Sequence, residues 1–397
     1  MNNYFTETNK CRLTKESLDD SEIIVSFDSL PIPGLFFDSK ADSADKMVPM
    51  TLVLSKGGLF QLKETLNGNL YHYYKSRRAD KNHIDWIENI ANQIKDRFKQ
   101  YSNILEVGGG EGMLLQHLFN KDYKSLYNID PSHENESSKY FESITGLFPN
   151  GFDKEKYKGY FSCIIGQHFL EHVPEPLEVM EGAYNLLTDD GELWIEVPDL
   201  ESSVLESYFQ IGIIYPLHLS YFTKQSLKNI GERAGLFLKS IEIVDHYGKS
   251  IWAKFSKEKK SDRSFDFIEN NTLIIQTIKN YFEEIQNFSK TIPKELICWG
   301  AVERAHTTYA ILSNCGIKAA SIFDSNEEIK GMFISGVNTP IMGINDFPLI
   351  SDHILILSPP NHKSIVDGIK DLISNQTVIH IPLIGSYNYE KYKATFY

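Results

Sequence analysis

The chain has 397 residues, more than one hydrophobic core holds, so two or three domains are expected. Its 53 acidic against 40 basic residues leave a net charge of −13, which opposes binding to a phosphate backbone and argues against a nucleic-acid partner. Four scattered cysteines (Cys11, Cys163, Cys298, Cys315) make neither a metal spacing nor a disulfide framework, and no apolar run approaches a membrane span of roughly 20 residues. The N-terminus is polar and unlike a signal peptide, so the cytoplasm is the expected compartment.

Residues 1–78 are turn-rich and poor in helical periodicity, which predicts a small irregular module. Ile84, Trp86, Ile87, Ile90, Ile94 and Phe98 then recur at helical spacing, predicting an amphipathic helix over 82–100. Residues 104–112 read Ile-Leu-Glu-Val-Gly-Gly-Gly-Glu-Gly, an apolar strand that turns through glycines into a helix starting at Met113. Such a turn aims bare backbone N–H groups at a ligand, and a Cβ would block the approach. The spacing is not that of a dinucleotide fingerprint, whose last glycine would fall at Met113. Residues 125–130 form a second strand ending in Asp130, where a carboxylate accepts hydrogen bonds from ribose hydroxyls.

Next comes a buried strand over 161–166, then Gln167-His-Phe-Leu-Glu-His172 and a proline turn. Gln167 and His168 stand at the end of that strand, where cofactor contact is expected. A helix over 177–187 and strands over 192–197, 238–244 and 250–255 complete the region. Charged residues 257–263 mark a solvated boundary before a helix over 265–288. Beyond it, a strand ending at Gly300, a helix over 304–314, a strand ending in Asp324 and strands over 353–357 and 378–382 make a second α/β unit. Gly300 has no phosphate-loop cluster, so a nucleotide-binding unit and a structural or dimerising one both fit. The expected division is 1–78, 79–256, a helical connector over 257–292, and 293–397.

The run from Glu106 through Gly108, Gly110 and Gly112, followed by Asp130, resembles the cofactor motif of class I S-adenosylmethionine (SAM) methyltransferases. That resemblance implies a central doubly wound α/β sheet and SAM as cofactor. It also implies SAM-binding roles for Glu106, Gly108, Gly110, Gly112 and Asp130, with Gln167 and His168 beside them.

Over nearly its whole length the chain further resembles the three-domain C-methyltransferases of nucleotide-linked keto-deoxysugars. The likeness is carried by Gly58-Leu-Phe-Gln-Leu62, Tyr71-His-Tyr-Tyr-Lys-Ser76, Trp299-Gly-Ala-Val-Glu-Arg304, and the run Asp324, Asn326, Lys330-Gly331, Gly336, Pro340-Ile341. It implies a C-terminal Rossmann-like domain, a nucleotide diphosphosugar substrate, and substrate contacts from Tyr221, Arg304 and Asp324. In that family catalysis surrounds a Tyr-His-Glu-His-x-x-Tyr segment, whose counterpart is Tyr215-Pro-Leu-His218-Leu-Ser-Tyr221. The resemblance assigns catalytic roles to His218 as general base, to Tyr215, to His172 and to Tyr74.

The chain departs from this family twice. Its four zinc-ligand positions hold Cys11, Thr14, Leu54 and Gly57, so no zinc is expected, and packing by Phe36, Phe37, Leu52, Leu54 and Phe60 is expected to hold the module instead. The acid beside His218 has become Leu217. The His218 segment also fits a plain active-site floor, and a Glu171-His172 pair also fits a loop cap. Tyr71 and Tyr73 compete with Tyr74 for its register. Three functions therefore stand: carbon methylation of a keto-sugar, methylation of oxygen or nitrogen on another metabolite, and binding without turnover. The intact glycine and acid set argues against the last.

Overall fold

In the middle of the chain, apolar runs alternate with helices, and both faces of the sheet they form are covered. The computed structural model describes residues 4–43, 46–73, 81–131, 138–206, 208–258, 265, 267–348 and 352–397. The seven strands of the central sheet are β1 (Ile104–Val107), β2 (Leu126–Asp130), β3 (Glu142–Thr145), β4 (Phe161–Gln167), β5 (Leu187–Pro198), β6 (Phe237–Asp245) and β7 (Lys249–Ser256). They lie in the order β3-β2-β1-β4-β5-β7-β6, and β7 runs antiparallel to both its neighbours. The chain leaves β1 in one direction for β2 and in the other for β4, so the carboxyl end of β1 opens a crevice.

Period-two alternation decides which side chains cover which face. Ile104, Cys163, Ile165 and Trp194 pack under α1 (Lys81–Arg97) and α2 (Met113–Phe119). Leu105, Ile164, Leu193 and Ile195 point the other way, beneath α3 (Pro176–Leu186) and α4 (Lys224–Arg233). Within α1, Ile87, Ile90 and Ile94 are buried, whereas Ile84, expected on the same face, is 42% exposed.

The N-terminal region is more regular than its sequence suggests. Glu22–Pro31, Met47–Leu54 and Phe60–Leu62 form an antiparallel sheet whose fourth strand, Ser220–Tyr221, comes from the middle of the chain. Two register shifts in the first strand and prolines at 31 and 49 obscure the alternation that would have revealed it. Phe36, Phe37, Leu52 and Phe60 are buried, and Leu54 packs partly against the same core.

The helix expected over 265–288 begins later, as α5 (Asn271–Ser289). Asn270 and Asn271, both poor helix formers, break the periodicity there, and Ile268 is 85% exposed. The last region is a six-stranded sheet, in the order Ile341–Met342, Lys318–Phe323, Glu295–Trp299, His353–Ile356, Val378–Ile381, Gly385–Asn388. It is parallel except for the last pair, and α6 (Glu303–Asn314) follows its glycine turn. Phe27 of the N-terminal sheet packs its ring at a tilt against Phe282 of α5, centroids 5.5 Å apart, and both share one core with Leu312 and Ile322 of the last region.

Candidate active site

At the carboxyl end of β1, Gly108, Gly110 and Gly112 have φ of 70°, 51° and 70°, a left-handed backbone that a Cβ strains. A Cβ on Gly110 would meet nothing within 4 Å, so the space before this turn is open, whereas one on Gly112 would lie 2.4 Å from the Phe141 ring. The Gly110 N–H donates to Asp130 Oδ2 at 3.1 Å, and Asn128 Nδ2 donates to the Gly110 carbonyl at 2.9 Å. Glu106 is buried and its Oε2 has no hydrogen-bond partner. Burial, and secondarily the charge of Asp130, push its carboxyl up to about 8. An orphaned buried carboxyl beside an open glycine turn fits an ammonium-bearing ligand, which SAM is.

The neighbouring strand ends, β4 and β5, meet at a second buried carboxylate, Glu196. It accepts hydrogen bonds from Trp86 Nε1 (2.8 Å), Gln167 Nε2 (2.9 Å), His246 Nδ1 (2.6 Å) and His168 Nε2 (3.2 Å). His246 in turn shares a 2.9 Å hydrogen bond with His83 of α1. Burial opposes ionisation of His168, but Glu196 and Glu171 together outweigh it and raise its pKa to about 10. Burial likewise disfavours charge on Glu196, yet His168 and His246 hold it well below the usual carboxylate range. Gln167 and His168 thus turn their polar atoms to Glu196. His168 does so with a left-handed φ of 49°, a conformation that costs energy in a non-glycine residue.

A third cluster surrounds His218. Tyr215 Oη and His218 Nε2 lie 3.0 Å apart, and the Tyr221 hydroxyl donates to the Tyr215 carbonyl at 3.2 Å. His172 Nδ1 donates to the Leu217 carbonyl at 2.8 Å and sets its ring edge-on to His218, centroids 4.8 Å apart. Burial foremost, then the cationic forms of His172, His168 and Arg304, push His218 well below its ordinary value. It is therefore a neutral imidazole at physiological pH, the form that accepts a proton. Glu171 completes the cluster. It is 1% exposed, its carboxylate has no hydrogen-bond partner, and it lies 3.4 Å from His168 Nδ1 and 3.9 Å from His172 Nε2.

The structure thus brings His172, Tyr215, His218 and Tyr221 together, with Arg304 of α6 close by and donating from Nη2 to the Tyr247 carbonyl at 2.5 Å. Tyr74 lies outside the described residues. Asp324 accepts backbone N–H groups of Ala301 (2.8 Å) and Asn326 (2.9 Å), one on each oxygen, so its carboxylate shapes the Gly300 turn. At the positions that the resemblance assigns to zinc ligands, Cys11 Sγ bonds Ser55 Oγ at 3.1 Å, and a Cβ on Gly57 would lie 2.4 Å from the Thr14 methyl. Among the described residues, two other groups bring metal-capable atoms within 4.8 Å of one another, His168–Glu196–His246 and Glu171–His172–His218.

Sequence reasoning missed Glu196, His246 and His83, and weighed Glu171 only as half of a possible loop cap with His172. Only Glu196 left a signal, a lone acid in the otherwise apolar run Leu193-Trp-Ile-Glu-Val197 that ends at a sheet edge facing the glycine crevice.

Residues 74–241 match the model of a methyltransferase domain family. With the strand order and the glycine crevice, this makes the middle of the chain a class I methyltransferase domain. The chain is 25% identical over 245 residues to the C-methyltransferase NovU of Streptomyces niveus. That alignment covers 59% of this chain and 57% of the relative, so the chain spans little more than half the length of the curated protein it matches. Among solved structures, it overlaps the 1,6-didemethyltoxoflavin-N1-methyltransferase of Burkholderia thailandensis with 12% identity and a TM-score of 0.35, over 44% of this chain and 78% of that one. The magnesium protoporphyrin IX methyltransferase of Synechocystis PCC 6803 overlaps with 13% identity and a TM-score of 0.35, over 47% and 91%.

Proposed function

We propose that the protein is a cytoplasmic, SAM-dependent methyltransferase that methylates carbon next to the ketone of a nucleotide-linked keto-deoxysugar. The observation that carries this reading is His218, buried, neutral and hydrogen-bonded to Tyr215, within the influence of Arg304 from the C-terminal region. Glu106, the glycine turn and Asp130 would hold SAM, which supplies an electrophilic methyl group carried on a sulfonium sulfur. In the tautomer whose Nε2–H donates to Tyr215 Oη, the lone pair on His218 Nδ1 would remove a weakly acidic C–H proton. Tyr215 fixes the ring, His172 lines the same space, and Arg304 offers a positive charge to an enolate oxygen or a phosphate. The C-terminal sheet, with its glycine turn, would seat the nucleotide.

Leu217 favours a second reading, in which a hydroxyl or amine is methylated and less enolate stabilisation is needed. Deuterium placed next to the ketone separates the two. Carbon methylation requires its loss at the methylated position in the wild-type product, whereas full retention rejects carbon methylation and leaves oxygen or nitrogen as acceptor.

A further inference from the structure

We propose that Glu171 is the counter-charge for the imidazolium formed on His218, replacing from another element the acid missing at position 217. The assignment rests on the carbon-methylation reading above. A buried carboxylate without a hydrogen-bond donor is expensive, and native structures keep one where it has a task. Glu171 is such a group: it is 1% exposed, neither oxygen receives a well-aligned donor, and the imidazolium beside it, His168 Nδ1 at 3.4 Å, is shared with Glu196.

Charge counting shows what the task is. Glu196 is held by His246 at 2.6 Å and His168 at 3.2 Å, whereas His168 and His172 stand 3.4 Å and 3.9 Å from Glu171, so the charge of Glu171 is the less offset of the two. Glu171 is the member that also reaches the substrate side. Ligand atoms of Glu171, His172 and His218 lie within 4.8 Å of one another. The groups facing His218 are His172 and His168 from the loop after β4, Arg304 from α6, and Tyr215 and Tyr221 from its own segment. His168 and Arg304 are cationic, and Glu171 brings the opposite sign.

The backbone fixes this arrangement. The Leu219 N–H donates to the Glu171 carbonyl at 2.7 Å, and His172 Nδ1 bonds the Leu217 carbonyl, so the residues on both sides of His218 are tied to the Glu171 turn.

In the reaction, His218 takes the C–H proton and the bond's electron pair becomes the enolate. The enolate carbon then bonds the methyl group while the methyl–sulfur pair stays on sulfur, and His218 later yields its proton to solvent. Glu171 exchanges no proton. It offsets the charge on His218 and is a positioning residue rather than a catalytic one.

The test follows the first half-step alone. Wild-type protein, Glu171→Gln and Glu171→Asp are incubated in D2O, without SAM, with a thymidine diphosphate-linked 4-keto-6-deoxyhexose, and loss of the proton next to the ketone is followed by NMR from pH 4 to 9. Glu171→Gln should exchange about 100-fold more slowly, with a lower plateau and an inflection moved to lower pH, while Glu171→Asp keeps a tenth or more of the wild-type rate. S-adenosylhomocysteine affinity within twofold of wild type in both variants would show the fold intact. Equal exchange in wild type and Glu171→Gln overturns the proposal, as does loss of S-adenosylhomocysteine binding in both variants, which would make Glu171 structural. Exchange abolished by a chelator and restored by Zn²⁺ overturns it too, by making these groups metal ligands. No exchange in the wild type at any pH instead removes the carbon-methylation reading underneath it.

Discussion

Replacing Glu196 by glutamine keeps the shape of the side chain and removes the charge on which His168, His246, Gln167 and Trp86 converge. The rise of His168 from 6.5 to about 10 corresponds to about 5 kcal/mol, at roughly 1.36 kcal/mol per pH unit. Glu171 supplies part of that, so losing Glu196 should destabilise the protein by about 3 kcal/mol near pH 6, in the range found for breaking buried ion pairs. The sign follows from linkage. A raised histidine pKa contributes stability that is complete below pH 6.5 and lost as pH rises through about 10. The depressed Glu196 contributes above its ordinary value and loses that contribution in acid, so the gap between wild type and variant should be widest between about pH 5 and 7. At pH 10 that contribution has nearly gone, and the hydrogen bonds that Trp86, Gln167 and His246 donate to the Glu196 carboxylate remain to be lost, worth about 1–2 kcal/mol in all. Urea unfolding followed by tryptophan fluorescence at pH 6 and pH 10 measures both gaps. Equal gaps at the two pH values, or a variant as stable as wild type at pH 6, would refute the buried ion pair.

Gly110→Val should abolish SAM binding by filling the open space before the turn, and Asp130→Ala should weaken it by about 1–3 kcal/mol, both read by calorimetry. Because Glu106 is protonated below about pH 8 and would ionise to meet an ammonium group, S-adenosylhomocysteine affinity should rise from pH 6 to 8 with release of a proton. Calorimetry in two buffers of different ionisation heat reports that proton, and none released would separate Glu106 from the ligand. His218→Ala should lower turnover by roughly 10²–10⁴-fold at unchanged SAM affinity; a loss under tenfold would leave it as part of the floor. Elemental analysis should find no stoichiometric zinc at the Cys11 site, where the Thr14 methyl stands against Gly57, and chelators should leave thermal unfolding unchanged.

The central sheet was legible because its signals are local. An apolar strand, a glycine turn and an acid at the next strand end lie within some 25 consecutive residues, and the same order recurs weakly from Leu296 to Asp324. His218 and His172 could be singled out only through resemblance. Glu196 and its partners were hidden because they come from four separate places, α1, the end of β4, the end of β5 and the turn after β6. Glu171 was hidden for a different reason. Its sequence neighbours suggest a loop cap, and only burial without a donor distinguishes a task from a cap. The N-terminal sheet escaped notice because one of its strands is written elsewhere in the chain.

That borrowed strand constrains how the protein is made. Phe60 and Gln61 leave the ribosome roughly 160 residues before Tyr221 and Ser220, their partners. Until then the Phe60–Leu62 edge has open backbone donors and acceptors and apolar side chains, the exposure that invites pairing with another chain. The same pairing works in reverse once folding is complete. Cutting the first 80 residues away would strip the partner strand from the segment directly after His218, so this methyltransferase domain should not be separable from its N-terminal module without losing the floor of its own site.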